Sequence, residues 1–454
     1  MRDLLINTAE RAIRYLEGLN QRNVIPDKNA VDRLSFLNFP LPDESSTPEA
    51  VLDKLDDFCS PATMAMAGPR FFGFVIGGSL PAALSANWLA SAWDQNSAFY
   101  NTTPATALLE QIALKWLLDV LKLPSESGGA FVTGATVANF TALAAARHDV
   151  LAKAGWNVEA DGLFGAPPIT VIAGEEAHPS LLKSLGMLGL GRDRILKVPV
   201  DNQGRMKPDA LPAIKGPAIV CLQAGNVNTG AFDPIKEISR YAHENGSWVH
   251  VDGAFGLWAR VAPSRAFLLD GLEEADSWAT DLHKWLNVPY DSGIAFVRNK
   301  ESLSAAMAIT ADYLPTESQH RNPSDYTPEL SRRARGVEVW AALLSLGRSG
   351  LSDMIERTCR HARRFAEAFS NAGFQILNEV VLNQVLVSFG SSEITNSVVS
   401  DIQNDGTCWC GPTVWQGKAA MRISVCSWAT TDEDVEKSLK AMLNIAKKYH
   451  SRTT

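Results

Sequence analysis

Short apolar runs alternate with helical runs from Gly129 to about Arg298, and this alternation constrains the fold more than any other feature of the sequence. The apolar runs are continuous, which is typical of strands that are buried on both faces of a parallel sheet. Helical sequence over residues 179–190 and 234–245 separates them. The pattern predicts an α/β fold with a mostly parallel sheet. The predicted strands are residues 169–173, 195–200, 218–222, 248–252 and 293–297.

The segments on either side predict two further parts of the chain. Residues 1–67 contain helical stretches separated by prolines, and such an arm rarely folds alone. After residue 335, helical sequence is followed by a second alternating pattern. We therefore expect an N-terminal arm over 1–67 that packs on a partner subunit, a large domain over 68–335 and a small α+β domain over 336–454. The polar, proline-containing segment 301–335 predicts a mobile loop.

The composition limits the classes of function. The 454 residues are 46% hydrophobic, which is enough for a large core. The net charge of −8 carries no long run of like charge, so neither nucleic acid nor a membrane is expected as a partner. No signal core or membrane-spanning stretch is apparent. Six cysteines without CxxC spacing favour a reducing cytoplasm over a disulfide framework, and no metal site is expected.

Lys284, in the run DLHKW, stands 32 residues after Asp252, the last residue of a predicted strand. A lysine amine can form a Schiff base with an aldehyde cofactor, and an aspartate can hold a pyridinium nitrogen protonated. Most lysines lie on the surface, and many strand-end aspartates only form turns. The pairing favours function, because ligands of open α/β sheets bind at the carboxyl ends of strands. Ala254 is small, as a flat ring close to the backbone requires.

Three other predicted strand ends carry candidate cofactor-binding residues. The run FVTGATVAN (131–139) predicts a strand, a glycine turn and a helix start, where free N–H groups near Ala135 and the Thr136 hydroxyl bind phosphate. His178 follows another strand and can stack on a planar cofactor. Asn226 follows a third and can bond to the cofactor or the substrate. The alternatives are a common threonine cap, an ordinary loop histidine and an Asn-Gly turn.

Residues that contact the substrate are suggested by type and position. Tyr326 and Tyr313 lie in the predicted loop and can donate a proton, unless they are simply exposed. Arg422, in a predicted strand, can hold a carboxylate, although a structural ion pair fits as well. Aromatic residues near the start of the large domain either line an apolar substrate pocket or pack in the core. These are Phe71, Phe72, Phe74, Trp93, Phe99 and Tyr100.

Taken together, these motifs resemble those of the group II pyridoxal-phosphate decarboxylases, which include aromatic amino acid, glutamate, histidine and tyrosine decarboxylases. The most specific segments are VHVDGAFG (249–256) and DLHKW (281–285). The resemblance implies fold type I, with a seven-stranded large domain and an obligate homodimer whose active sites lie at the interface. It implies that Lys284 attaches the cofactor, Asp252 holds the ring nitrogen and His178 stacks on the ring. It also implies that His283, like Ala135 and Thr136, reaches the phosphate.

The expected activity is decarboxylation of an L-amino acid to an amine and CO₂, with an aromatic or bulky apolar side chain favoured. Three alternatives stay open at this point. The same residues suit an aldol-type carbon–carbon lyase, and they suit decarboxylation coupled to oxidative deamination to an aldehyde. A protein that binds the cofactor without catalysis is the non-enzyme alternative.

Overall fold

A seven-stranded sheet forms the centre of the structure, a computed structural model that describes residues 1–309, 311 and 320–450. Its strands are β1 (Gly128–Val132), β2 (Thr170–Gly174), β3 (Leu196–Val198), β4 (Ala218–Gln223), β5 (Trp248–Asp252), β6 (Ser277–Asp281) and β7 (Gly293–Val297). They lie in the order β1-β7-β6-β5-β4-β2-β3. Within this sheet β7 runs antiparallel to both of its neighbours, and the other paired strands are parallel. The predicted α/β class and the mostly parallel sheet are confirmed.

Helices cover the sheet, and prolines set where several of them begin. Pro81, Pro104 and Pro179 occupy first-turn positions, where the missing N–H of proline costs nothing. In the described residues the α-helices are α1 (Arg2–Gly18), α2 (Lys28–Arg33), α3 (Pro48–Lys54), α4 (Ser60–Ala62), α5 (Pro81–Trp93), α6 (Pro104–Val120), α7 (Ala135–Lys153), α8 (Val158–Asp161), α9 (Pro179–Met187), α10 (Ile235–Glu244), α11 (Lys300–Met307), α12 (Gly336–Asn371), α13 (Ser392–Asp405) and α14 (Asp432–His450).

A second sheet lies in the last quarter of the chain. Its strands are β8 (Gln375–Ile376), β9 (Gln384–Ser388), β10 (Gly411–Trp415) and β11 (Lys418–Ser424), all antiparallel in the order β10-β11-β9-β8. Side chains of α13, α14 and the end of α12 form its core. The start of α12 packs on α5 and α6 instead, and Gly347 (φ 58°) breaks the helix between these two regions.

The prediction of a loop over 301–335 is wrong in part. Helix α11 occupies Lys300–Met307, and the side chain of Arg332 is completely buried. Arg332 pairs with the buried Glu110 at 2.6 Å and donates to the carbonyl oxygen of Phe131 in β1. Burial of two charges requires such pairing. This contact ties α6 to the strand that leads into the predicted phosphate turn.

The N-terminal segment packs loosely on the rest of the described chain. None of the residues of α1, α2, α3 or α4 is buried. Apolar side chains on it are open to solvent, including Leu5 (59% exposed) and Ile13 (48%). No helix in the described ranges is both long and apolar enough to cross a bilayer.

Candidate active site

The predicted site residues meet at one edge of the seven-stranded sheet. Asp252 ends β5, Asp281 ends β6 and leads to Lys284, and Ala135 follows the turn after β1. His178 lies beyond β2 in the same way. Parallel strands end at the same edge, so the topology alone brings these segments together. The electrostatic environment of His178 is set in part by the charges of Asp252 and Lys284, which confirms their proximity.

The turn after β1 forms a cup of backbone N–H groups at the start of α7. A side chain at Gly134 would meet His283 Cε1 at 2.9 Å, and one at Gly293 would lie 2.5 Å from the Cα of Gly134. Two glycines therefore let β7 and the DLHKW segment approach the turn closely. The first N–H groups of a helix lack partners within the helix and attract anions. Thr136, half-buried, adds its hydroxyl group to this region.

Asp281 occupies this cup, and the sequence interpretation did not assign it a role. Its Oδ1 accepts the N–H of Ala135 at 2.6 Å and lies 3.3 Å from His283 Nε2. Its Oδ2 lies 2.9 Å from Lys284 Nζ. The carboxylate thus lies between the lysine amine and the N–H of Ala135, one of the helix-start N–H groups that attract anions. Asp281 ends a strand, as Asp252 does, and this position in the sequence could have marked it as a candidate site residue.

Asp252 is a buried carboxylate with two hydrogen-bond donors. Its Oδ2 accepts from Asn139 Nδ2 at 2.9 Å, and its Oδ1 accepts the N–H of Ala254 at 3.1 Å. Burial raises the pKa of Asp252 most strongly, while the nearby His178 and the bond from Asn139 lower that pKa. Burial is the largest influence, so the pKa of Asp252 lies above its ordinary value although both donors lower it.

His178 caps the start of α9 with its ring. Nδ1 accepts the N–H of Ser180 at 3.2 Å, so the neutral ring carries its proton on Nε2. Burial lowers the pKa of His178, which favours this neutral form at neutral pH. A small pocket lies between His178 and the strands, with Cys221, Gln223 and Asp252 among its lining residues. The ring is therefore available beside a cavity that also contacts Asp252.

His283 is fixed by backbone and ring contacts next to the same cup. Its Nδ1 accepts the N–H of Ser292 at 3.0 Å, and its ring stacks on Tyr290 with centroids 4.2 Å apart. Tyr290 is 54% exposed, and burial of its hydroxyl raises its pKa to about 12. Tyr290, another residue without a predicted role, thus presents a protonated phenol beside His283 at neutral pH.

Arg422 and Asn226 approach from the second sheet and from the loop after β4. Arg422 donates to the carbonyl oxygen of Val227 at 3.3 Å, and no carboxylate in the described part of the chain forms an ion pair with it. Burial lowers its pKa. Asn226 Oδ1 accepts two N–H groups of its own turn, from Asn228 and Thr229. Its buried Nδ2 has no partner among the described residues, so each side chain keeps donor capacity.

Tyr326 lies near the start of β1, at the other end of that strand from the turn at Gly134. Arg321 lies over the Tyr326 ring, 4.3 Å from its centroid, and donates to the carbonyl oxygen of Gly129 near the start of β1. The phosphate turn begins five residues further on at Gly134, and extended chain of that length spans roughly 16 Å. Tyr313 lies outside the described residues.

Phe71 and Phe72 pack in the interior, as the core alternative predicts. Each is 1% exposed. Phe71 stacks on Trp409 with centroids 5.0 Å apart, and Phe72 contacts Phe365 within the core of the second sheet. Phe74 stacks on the same Trp409 but is 56% exposed. The predicted substrate contacts of Phe71 and Phe72 are therefore wrong, and Phe74 is the accessible aromatic of this run.

Comparison with known proteins identifies one family across most of the chain. Residues 32–390 match the model described as the pyridoxal-dependent decarboxylase conserved domain. An aromatic-L-amino-acid decarboxylase of Bacillus atrophaeus is 25% identical over 98% of this chain and 94% of its own length. An L-2,4-diaminobutyrate decarboxylase of Rhizobium meliloti is 28% identical over 82% and 77%.

Solved structures share the fold at low sequence identity. The crystal structure of Oryza sativa TDC with PLP and tryptamine superimposes with a TM-score of 0.90, covering 98% of this chain and 97% of that one at 21% identity. A crystal structure of Rhodiola rosea 4-hydroxyphenylacetaldehyde synthase gives 0.87, with coverage of 99% and 98% at 22% identity. The likeness extends over both sheets of the present structure.

Replacing Asp281 tests its place in the cup. Asp281→Asn removes the negative charge beside the N–H of Ala135, so cofactor-free protein should bind inorganic phosphate roughly tenfold more tightly, about 1.4 kcal/mol in binding free energy. Isothermal titration calorimetry measures this affinity. Asp119→Asn removes the same charge from the outer surface of α6 and should change nothing. Unchanged phosphate affinity in Asp281→Asn would show that its carboxylate does not compete for the cup.

Proposed function

Because the chain belongs to the pyridoxal-dependent decarboxylase family, and is therefore an enzyme that uses pyridoxal 5'-phosphate, we propose that it converts an aromatic or bulky apolar L-amino acid to its amine and CO₂. The observation that carries the proposal is the meeting of Lys284, Asp252, His178 and the Ala135 turn at one sheet edge. The cofactor, when bound, supplies an electron sink for the electrons of the broken bond.

The residues present suit that cofactor. We propose that Ala135 and Thr136 bind its phosphate, with His283 beside them, that Lys284 attaches it and that Asp252 accepts a hydrogen bond from its ring nitrogen. His178 covers the ring, and Asn226 offers its unpartnered Nδ2. The close approach that Gly134 and Gly293 permit supports the phosphate assignment. Ala254, whose N–H orients Asp252, leaves room for a flat group because its side chain is small.

Each polar side chain then has a task that follows from its environment. Lys284, whose Nζ lies 2.9 Å from Asp281 Oδ2, acts as a nucleophile only through its unprotonated amine. Asp252, in its ionised form, would accept a hydrogen bond from a protonated ring nitrogen of the cofactor, and that contact would offset the burial that raises its pKa. Arg422, buried and without a carboxylate partner in the described chain, receives the substrate carboxylate. His178, protonated at Nε2, can return a proton to the substrate carbon.

The substrate side chain is the least constrained part of the proposal. Phe74 and Tyr290 are exposed aromatic side chains near the site segments, and they suit an aromatic or bulky apolar group. Similar proteins named aromatic-L-amino-acid decarboxylase and tryptophan decarboxylase support the same class. A similar phenylacetaldehyde synthase of Arabidopsis thaliana keeps aldehyde formation as an outcome that the assay must detect.

Release of CO₂ tests the activity directly. Protein loaded with pyridoxal phosphate should release CO₂ from at least one aromatic or bulky apolar member of an L-amino acid panel. Lys284→Ala should lose the visible absorbance of the attached cofactor and at least a thousandfold in rate, because no other amine replaces the nucleophile. The assay records amine, aldehyde and hydrogen peroxide beside CO₂.

The products separate the alternatives. Aldehyde and peroxide in place of amine would identify decarboxylation with oxidative deamination, and an aldehyde without CO₂ would identify aldol-type cleavage. Bound cofactor without any product from the panel would contradict the proposed activity and favour a non-catalytic binding protein.

Arg422 and Tyr326 form a matched pair for the substrate contacts. Arg422→Met keeps much of the buried volume but removes the guanidinium, so KM should rise roughly tenfold or more while cofactor binding is retained. Tyr326→Phe should keep kcat within about twofold, since Tyr326 packs against Arg321 near the start of β1. Steady-state kinetics measure both. A large loss of kcat in Tyr326→Phe would restore its predicted role as proton donor.

We propose further that a second copy of the chain covers the N-terminal segment. The segment from α1 to α4 buries none of its helical residues, yet it exposes Leu5, Ile13 and other apolar side chains. Exposed apolar surface of this extent marks an interface. A homodimer built this way agrees with the arm expected from the sequence.

Light scattering on the full chain tests the dimer. The unaltered protein should have twice the mass of one chain, and the double substitution Leu5→Glu with Ile13→Glu should shift it toward monomer, because two charges would enter an apolar interface. Phe164→Glu, at a side chain that is 98% exposed, is the control and should leave the mass unchanged. A monomeric unaltered protein at micromolar concentration would refute the proposed dimer.

A further inference from the structure

Four buried hydrogen bonds connect Trp248 to Asp252 through three intervening side chains. Trp248 Nε1 lies 2.8 Å from Ser277 Oγ, and Ser277 Oγ lies 2.9 Å from His250 Nδ1. His250 Nε2 lies 2.9 Å from Asn139 Oδ1, and Asn139 Nδ2 lies 2.9 Å from Asp252 Oδ2. None of the five residues is more than 4% exposed. The chain of bonds approaches Asp252 from within the protein, through β5, β6 and α7.

The carboxylate at one end of the chain sets the direction of the bonds. Ionised Asp252 can only accept, so Asn139 Nδ2 donates to it and Asn139 Oδ1 must accept from His250 Nε2. The neutral ring then accepts the Ser277 hydroxyl proton at Nδ1, and Ser277 Oγ accepts the indole N–H of Trp248. His250 therefore carries its proton on Nε2. Burial lowers the pKa of His250 to about 3, so the ring stays neutral and keeps this tautomer.

We propose that Asn139 and His250 are positioning residues that hold Asp252 as an oriented carboxylate for the cofactor's ring nitrogen; this rests on the proposed function. The chain ends in a donor, and a donor stabilises the ionised carboxylate but not the protonated acid. The second donor, the N–H of Ala254, occupies Oδ1. The two bonds fix the plane of the carboxylate and leave its remaining lone pairs for a ligand.

The other groups around Asp252 do not provide a constant positive field. His178 faces it from the start of α9 and is neutral at neutral pH because burial lowers its pKa. Lys284 faces it from the segment after β6, and its amine would be taken up by the bond to a cofactor. Cys221, on β4, is buried and burial raises its pKa, so it stays a neutral thiol. The neutral chain from Trp248 keeps the same protons throughout.

Removing a donor makes Asp252 a stronger base. A proton shared between the ring nitrogen and Asp252 then moves toward the carboxylate, and the ring loses its positive charge. Loss of one donor bond should raise the pKa of Asp252 by about one unit, which is a tenfold change in its proton affinity. The rise in the pKa of Asp252 should be largest for a change at Asn139, which donates to Asp252 directly. It should be smaller for a change at Ser277, because that change only removes the bond that fixes the tautomer of His250.

The experiment uses pyridoxal phosphate labelled with ¹⁵N in the ring, bound to the protein. The ¹⁵N chemical shift reports directly whether the ring nitrogen is protonated. Asn139→Leu should move the signal toward the unprotonated value and weaken cofactor retention about tenfold. Ser277→Ala should move it part of the way. Thr141→Val is the matched control, because Thr141 is also fully buried on α7 and, among the described residues, its hydroxyl bonds to the carbonyl oxygen of Val137 alone.

The outcomes decide the inference independently of the activity. A ¹⁵N signal that Asn139→Leu and Ser277→Ala leave unmoved would overturn it and make the chain purely structural. If Asn139→Leu does not fold, the shift in Ser277→Ala against Thr141→Val decides the question. The unaltered protein can show a protonated ¹⁵N signal that shifts in the variants as expected, yet release no CO₂ from any amino acid. That result would support the inference and contradict the proposed function. Absence of cofactor binding would overturn both.

Discussion

The site depends on the buried carboxyl group of Asp252, whose pKa is raised by burial. A carboxylate removed from water without partners costs several kcal/mol and takes up a proton instead. The donors Asn139 and Ala254 and the nearby Lys284 lower the pKa of Asp252, although burial raises it more. The elements that supply these groups are α7, the turn after β5 and the segment after β6. Their packing around one sheet edge is what makes that edge a site.

Asp281 is a second acidic residue at a strand end, and it lies at the same sheet edge as Asp252. Asp252 pairs in register with Ala279 of β6, so Asp281 projects two residues further toward the phosphate turn on the same face. One carboxylate then faces the cavity under His178, and the other faces the N–H groups that begin α7. The sheet thus separates the two carboxylates by the length of one residue pair.

Local sequence predicted the parts of the site that a short motif can encode. Strand β5 has its predicted bounds, and the positions of Lys284, Asp252 and Ala135 at strand ends followed from the apolar runs before them. The expected loop over 301–335 was wrong in part, because its polarity reflects charges that are buried by pairing, as Arg332 with Glu110 shows. The substrate contacts predicted for Phe71 and Phe72 do not agree with their burial in the core. A run of aromatic residues in the sequence does not show whether the side chains line a pocket or pack in the core.

The sequence by itself determined the fold class, the cofactor chemistry and the family, because strand periodicity and strand-end residues are local properties of the chain. Only the tertiary structure decided that Asp281 occupies the cup, that Tyr326 lies beside Arg321, and that Asn139 and His250 connect to Asp252. Asn139 and Asp252 are 113 residues apart in the chain. Their contact arises because α7 packs across β5 and β6, and no local pattern records which side chains such packing brings within hydrogen-bond distance.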